Sequence, residues 1–365
     1  MRDCICTRDD IWNGFIDELW SHLLDPIDCM DFINYYEVGW RPTIFHWPLS
    51  LPREIYIQYL NRMNDDRLWL SEWINPLIAG SNYVPMTVPL FEYSIPSRIY
   101  NYRIQPITAT YPTRRIVHLS CDRVSHVFHI FNLYIATGKQ ILPRSLDQII
   151  EYGGGTGDNI PMLREMGFEG THIVYDFMPM LIMQQFFLRI SNWPAYYADN
   201  LTYSSPLGRR KTLLVSCDLK ASRMMQLLSP SPTAPQHTLF LASWSLSESS
   251  VEVRSAAMEQ ILQYQVKYIL IAFQSRHSLE IDNMQWAKDL AHQLYYDHHY
   301  EICSWKMIGH EESYYFIAVR NNRNKLSNDN SDQQEQQEIE TVVCSSVVGC
   351  TQDTLLLGSA GCIIE

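Results

Sequence analysis

"IIEYGGGTGDNIPML", residues 149–163, decides how this chain is read. An apolar run ends in an acid, Glu151, four glycines then fall within five positions, and a helix-like segment follows. A short apolar run that stops at glycines reads as a buried strand, QIIEY (148–152). DNIPMLREMG (158–167) reads as the next helix, with Asp158 as its N-cap and Pro161 in the first turn, where a missing N–H does no harm. A glycine-rich turn between strand and helix lets a ligand approach the backbone, and the first N–H groups of the helix then face it.

From this unit to residue 320 the pattern alternates. THIVYD (171–176), TLLVSCD (212–218), TLFLASW (238–244) and KYILIAFQ (267–274) read as strands. Helices are predicted over 179–190, 219–228, 251–265 and 284–296, the last with Ala287, Leu290, Ala291, Leu294 and Tyr295 on one face. Near-continuous apolar strands separated by helices indicate a parallel sheet covered on both sides. YEICSWKMIG (300–309) and SYYFIAVR (313–320) are separated only by HEE, too short a gap for a helical crossover, so they are expected to form an antiparallel hairpin.

Two flanks differ from this block. Residues 1–145 are rich in aromatics and proline and carry helical stripes, at Trp12, Phe15, Ile16, Leu19 and Leu23 and again at Val124, Val127, Phe128, Phe131 and Ile135. One or two more helices are expected within 52–74, and the proline-punctuated 75–97 reads as irregular loop. This flank is expected to be a mainly helical cap that leans on the sheet and holds the acceptor. Residues 321–365 begin as a polar, low-complexity linker read as disordered and end in a more apolar stretch. The final CIIE fits the C-a-a-X outline, but Glu is not a usual last residue and no polybasic run precedes it, so lipidation is not expected.

Composition sets limits. The 365 residues are 46% hydrophobic, enough for a sizeable core, and the net charge is −12 with no basic stripe, which disfavours a nucleic-acid partner. Nine scattered cysteines (Cys4, Cys6, Cys29, Cys121, Cys217, Cys303, Cys344, Cys350 and Cys362) with no CxxC spacing point to free thiols in a reducing compartment. No signal peptide is recognised, and no apolar run approaches the ~18 residues that cross a bilayer. The expectation is a cytoplasmic protein without a membrane partner.

Two ligand classes use a glycine loop of this kind: dinucleotides and S-adenosylmethionine. The dinucleotide fingerprint G-x-G-x-x-G fails in both registers, because Asp158 or Ile160 stands where the third glycine is required. The alternative, acid-x-G-x-G-x-G, is met in full by Glu151, Gly153, Gly155 and Gly157. An acid beside the loop suits a ligand with a sulfonium and an ammonium better than one with phosphates. A second acid is expected at the end of the second strand to accept hydrogen bonds from ribose hydroxyls, and Asp176 stands there.

EYGGGTGD, IVYDF and the closing hairpin resemble the class I S-adenosylmethionine-dependent methyltransferases over residues 146–320. The resemblance implies a Rossmann-like α/β fold, a seven-stranded sheet whose antiparallel last strand is inserted between neighbours. YDFMPMLIMQQFFLRIS and LFLASWSLSES look closer to one branch, the sugar O-methyltransferases. The resemblance further implies roles. Glu151, Gly153, Gly155 and Gly157 would hold the methionine part; Asp176 would bind the ribose and Phe177 pack on the adenine. Cys217 and Asp218 would edge the adenine, with Asp199 a weaker alternative to Asp218 because of the insertion-like 194–211. Ser243 and Trp244 would lie under the sulfonium.

Methyl transfer to a hydroxyl needs alignment and a base for the departing proton. Glu248, after the fourth strand, is the first candidate and His277, after the fifth, the second. His310, in the hairpin turn, is expected at the other end of the sheet. His126 and His129 are one helical turn apart, a spacing that can hold metal, but no third ligand is near in sequence and no metal is expected. Arg114 and Arg115 are candidates for an anionic acceptor, and Trp40, Trp47, Trp69, Trp73, Tyr83 and Tyr100 for stacking on a sugar, against core packing as the plainer role. The leading function is methyl transfer to a hydroxyl of a small molecule, a sugar or glycosylated acceptor. Natural-product, amine or peptide acceptors and a non-catalytic interaction module stand as alternatives, and a nicotinamide dehydrogenase is disfavoured by Asp158 and the hairpin.

Overall fold

The fold is given by a computed structural model that describes residues 52–66, 69, 90–96, 114–198, 211–216, 237–278, 281–310, 312–321 and 362–364. Helix α1 (Arg53–Asp65) is followed by an antiparallel ribbon, β1 (Leu90–Pro96) with β2 (Arg114–Ser120), and by helix α2 (Cys121–Ala136). The ribbon corrects the reading of 75–97 as irregular loop, and it adds a strand pair to a flank expected to be mainly helical. Four prolines concealed the alternation in LFEYSI, yet only Pro96 falls in the strand, at the ribbon's end opposite Arg114.

The sheet block then follows in chain order: β3 (Gln148–Tyr152), α3 (Asn159–Glu165), β4 (Thr171–Asp176), α4 (Met178–Ile190), β5 (Tyr196–Tyr197), β6 (Thr212–Ser216) and β7 (Thr238–Ser243). After these come α5 (Val251–Gln263), β8 (Tyr268–Gln274), a small ribbon of β9 (Arg276–Ser278) and β10 (Ile281–Asp282), α6 (Asn283–His298), β11 (Tyr300–Lys306), β12 (Ser313–Arg320) and β13 (Cys362–Ile364). The main sheet runs β13-β11-β12-β8-β7-β3-β4-β6-β5. Every neighbouring pair is parallel except those made by β12, which lies antiparallel between β8 and β11. Within it are the seven expected strands, with the antiparallel last one inserted between neighbours. Short β5 and β13 extend its two edges.

The apolar runs are explained by two-sided burial. On one face Ile149, Leu239, Leu241, Leu270 and Ile317 pack against Val124, Val127, Phe128 and Phe131 of α2, with α1 and Trp69 joining the same core. On the other, Ile150, Phe240, Ile269 and Phe316 meet Val253, Ala257 and Ile261 of α5 and Leu290 and Leu294 of α6. Helix α4 covers Val174 and Leu214 through Leu181, Met183 and Phe187. Strand order reverses at β3, which has β4 on one side and β7 on the other, so a crevice opens at the C-terminal ends of β3 and β7.

The hairpin turn lies at that same end, which corrects its expected location. Ser313, the first residue of β12, pairs with Gln274, the last of β8. A strand antiparallel to β8 starts where β8 stops, so the turn that precedes it stands over the crevice. At the far edge, Cys362–Ile364 pairs in parallel with Cys303–Trp305, so the end of the expected disordered tail contributes a strand. The 219–228 helix, the Trp12–Leu23 stripe, Cys217, Asp218, Asp199, Trp40, Trp47, Trp73, Tyr83 and Tyr100 lie outside the described residues.

Candidate cofactor and acceptor site

The glycine loop is shaped by backbone conformation and by lack of room. Gly153, Gly155 and Gly157 have φ of +71°, +54° and +82°, a region costly for residues with a Cβ. A Cβ on Gly153 would lie 2.2 Å from Ser245 Cβ, so the segment after β7 rests directly on the loop. At Gly155 a Cβ would meet nothing within 4 Å, so that glycine faces open space. The Gly153 N–H donates to Tyr175 O at 2.7 Å, and Ser245 Oγ donates to Tyr152 O at 2.5 Å, which pins the loop between β4 and the end of β7.

Glu151 is buried beneath this loop. One carboxylate oxygen accepts from Asn159 Nδ2 at 2.6 Å, and the other lies 2.8 Å from His172 Nε2 of β4. The acid thus ties the first residue of α3 to the neighbouring strand. Asp158 stands at the start of α3 as expected but its side chain does not cap the helix. It is turned instead to α2, where it is ion-paired with buried Arg123 and lies 3.1 Å from His126 Nδ1.

Asp176, at the end of β4, is buried against the loop from the other side. Its Oδ1 accepts from the Phe177 N–H at 2.8 Å and its Oδ2 from Gln184 Nε2 at 2.9 Å. Burial pushes its carboxyl up to about 7, against the N–H groups of Phe177 and Gly155 and the Gln184 amide, which stabilise the anion; the charge of Glu151 adds to the rise. Gln184 Nε2 also donates to Gly155 O at 2.9 Å. Loop, acid and amide therefore form one hydrogen-bonded unit. Phe177 is half-buried between the α4 and α5 sides of the sheet.

Across the crevice, β7 ends at Ser243, whose buried Oγ has no hydrogen-bond partner. Trp244 follows with φ +70°, a left-handed conformation that a bulky residue seldom adopts. The turn it begins carries Glu248, half-buried, with a carboxyl pushed up to about 7 by burial. Glu248 does not cap the next helix. Ser250 does, accepting from the Val253 N–H. Buried Arg254 fixes the turn by donating to Ser247 O and Ser249 O, and to Asn283 Oδ1 at 2.6 Å. His277 lies in β9, just past the end of β8, and its side chain is outside the described set.

The hairpin turn meets Trp244. His310 packs on the indole with ring centroids 5.8 Å apart. His126 and His129 rings are 5.9 Å apart on α2, and His129 Nδ1 lies 2.7 Å from Tyr315 Oη. Burial holds the His129 imidazole well below its ordinary range, and the neighbouring His126 and His310 add to the effect. Burial also lowers His310. Among the described residues no group of three or more His, Cys, Asp or Glu is arranged to hold a metal ion.

No protein-family model and no curated protein matches this chain. Solved structures that resemble it include several methyltransferases. An O-methyltransferase family protein from Burkholderia thailandensis matches at 10% identity over 74% of this chain and 72% of its own, with a TM-score of 0.34. An rRNA methylase from Escherichia coli matches at 14% identity over 55% of this chain and 68% of its own, with a TM-score of 0.32. TrmK of M. capricolum, in complex with S-adenosyl-homocysteine, matches at 11% identity over 50% and 66%, with a TM-score of 0.30.

Sequence reading placed Glu151, Gly153, Gly155, Gly157, Asp176, Ser243 and Trp244 at strand ends around the crevice, and the structure brings them together there. It missed Gln184, Asn159 and His172, which lock the loop, and the approach of His310 to Trp244. Only His310 had a usable signal: the direction of β12 relative to β8 puts the turn over the crevice. Among the described residues no helix is long and apolar enough to cross a membrane.

Proposed function

We propose that this chain is an S-adenosylmethionine-dependent methyltransferase that methylates a hydroxyl of a small molecule, a sugar or glycosylated acceptor. The observation that carries the cofactor is the hydrogen-bonded unit formed by Gly155, Asp176 and Gln184 beside the crevice, in which one amide ties a buried strand-end carboxyl to a loop glycine with open space around it. The fit is supported by two buried polar atoms without partners beside it, Ser243 Oγ and Gln184 Oε1. In this reading Asp176 accepts from the ribose hydroxyls, Phe177 packs on the adenine with Cys217 and Asp218 at its edge, and the loop backbone receives the methionine end. Glu151 braces the loop through Asn159 and places negative charge beneath the ammonium.

When bound, the cofactor supplies a methyl group already activated by its sulfonium. The chain's own work is alignment and proton removal. Ser243 and Trp244 support the reacting centre, and Glu248 takes the hydroxyl proton as the oxygen–methyl bond forms. A carboxyl that titrates near 7 suits that task, because it is partly ionised at neutral pH and still a useful base. His277 is the reserve base. The sugar assignment is supported by the Trp244 indole and the His310 imidazole packed on it, whose basicity burial lowers; such a pair favours an uncharged hydroxyl-rich ring over an ion.

The test is incubation of the full chain with methyl-labelled cofactor and a panel of methyl glycosides, alcohols, amines and peptides. Label on a glycoside is the expected result. Label on an amine or peptide alone overturns the acceptor class and leaves the cofactor reading in place.

A further inference from the structure

We propose that Gln184 is a positioning residue of the cofactor site, one that clamps Asp176 to the glycine loop. This rests on the cofactor reading above. Gln184 lies in α4, on the helix face that packs on β4, and is fully buried. Its nitrogen is 2.9 Å from Gly155 O and 2.9 Å from Asp176 Oδ2. Both neighbours accept hydrogen bonds, so the amide has one sensible orientation: nitrogen toward them, oxygen away. That oxygen is buried with no partner. Keeping an unsatisfied amide oxygen is costly, and a methionine of similar size would avoid the cost. The amide is therefore explained by the two acceptors its nitrogen holds together.

The fourth glycine of the motif supports the same conclusion. The pattern acid-x-G-x-G-x-G uses Gly153, Gly155 and Gly157 and leaves Gly154 without a purpose. Gly154 is not in the left-handed region, unlike the other three. A Cβ there would lie 2.5 Å from Val174 Cγ1 and 3.2 Å from Gln184 Nε2. Gly154 is a glycine so that the loop can settle on β4 and on this amide. Four glycines are then required where the ligand pattern alone asks for three.

Gln184 also governs the charge of Asp176. The groups facing that carboxyl are Glu151 from β3, whose charge opposes ionisation, the N–H groups of Phe177 and Gly155, and the Gln184 amide; Tyr152 is also within electrostatic range. Of the donors, only Gln184 can be removed without altering the backbone.

The probe is S-adenosylhomocysteine, titrated calorimetrically into the full chain between pH 5.5 and 8.5, with thermal melting of each unliganded protein as the fold control. Wild type is expected to bind, about tenfold more weakly for each pH unit below roughly 7, because a protonated Asp176 no longer accepts from both hydroxyls. Gln184→Met is expected to bind at least tenfold more weakly at pH 7.5, with the acid limb moved upward and melting unchanged or higher. Gln184→Glu places a second carboxyl beside Asp176, so the two share a proton, and the limb moves upward again. If Gln184→Met does not fold, Gln184→Glu decides. Wild-type affinity with an unmoved limb in a folded variant overturns the proposal. Failure of wild type to bind contradicts the cofactor reading instead.

Discussion

The two walls of the crevice are built by different means. On the β3–β4 side the loop, Glu151, Asp176 and Gln184 are held by short-range geometry: glycines in left-handed conformations, strand ends and the helices that follow them. On the β7–β8 side Trp244, Glu248, His310 and the α2 imidazoles are brought together from positions up to 184 residues apart, by sheet order and by the docking of α2. The first wall is a local code, and the second exists only in the assembled fold. A pattern in sequence can therefore single out a ligand-binding loop while remaining silent on what faces it across the crevice.

Substitutions can separate the two walls. The largest effect is expected from Gly153→Ala, which adds a Cβ 2.2 Å from Ser245 Cβ at φ +71°. It should abolish S-adenosylhomocysteine binding in calorimetry, since the loop must move off both walls. Next is Asp158→Asn, which weakens the buried pairing with Arg123. Breaking such a pair costs about 3–5 kcal/mol, seen as a lower urea midpoint with an unchanged slope.

Glu248→Gln should act on the second wall alone. Transfer is expected to slow by ~10²-fold or more, with the affinity for S-adenosylhomocysteine unchanged and the pH limb near 7 lost. Equal losses of affinity and rate would place Glu248 on the cofactor wall and blur the division. His310→Ala should raise the acceptor KM several-fold with little change elsewhere, because it removes one ring from Trp244. The smallest effect is Ser250→Ala, loss of the α5 cap, at about 1 kcal/mol in a thermal or urea melt.

The pH dependence of stability carries a sign that can be checked. Asp176 holds its proton to a higher pH in the folded chain than the ordinary 3.8. Its contribution is fully present below about 4 and is lost as the pH rises through about 7. The unliganded protein should therefore lose stability over that window, and a saturating ligand that favours the ionised carboxyl should reduce the loss.

The sheet was legible because its strands are apolar on both faces and its punctuation is strong: QIIEY before glycines, THIVYD before Phe177 and Pro179, and HEE too short for a crossover. Asp176 could be found because a strand end fixes where its side chain goes. Gln184 could not, since nothing in QQFF says which of the two glutamines turns inward. Asp158 was misassigned for a related reason. Its position at the start of α3 suits a cap, but Arg123, 35 residues earlier and on another helix, competes for the carboxylate and wins. The strand hidden in 90–96 was obscured by prolines that lie mostly beside it, and the place of His310 by reading the hairpin without its partner β8.

The most direct test of the central claim is a calorimetric titration of the full chain with S-adenosylhomocysteine and, separately, with NADH, repeated on Asp176→Ala. The account predicts micromolar binding of the first ligand, none of the second, and loss of the first in the variant. No binding of S-adenosylhomocysteine, or binding that survives Asp176→Ala unchanged, would contradict it.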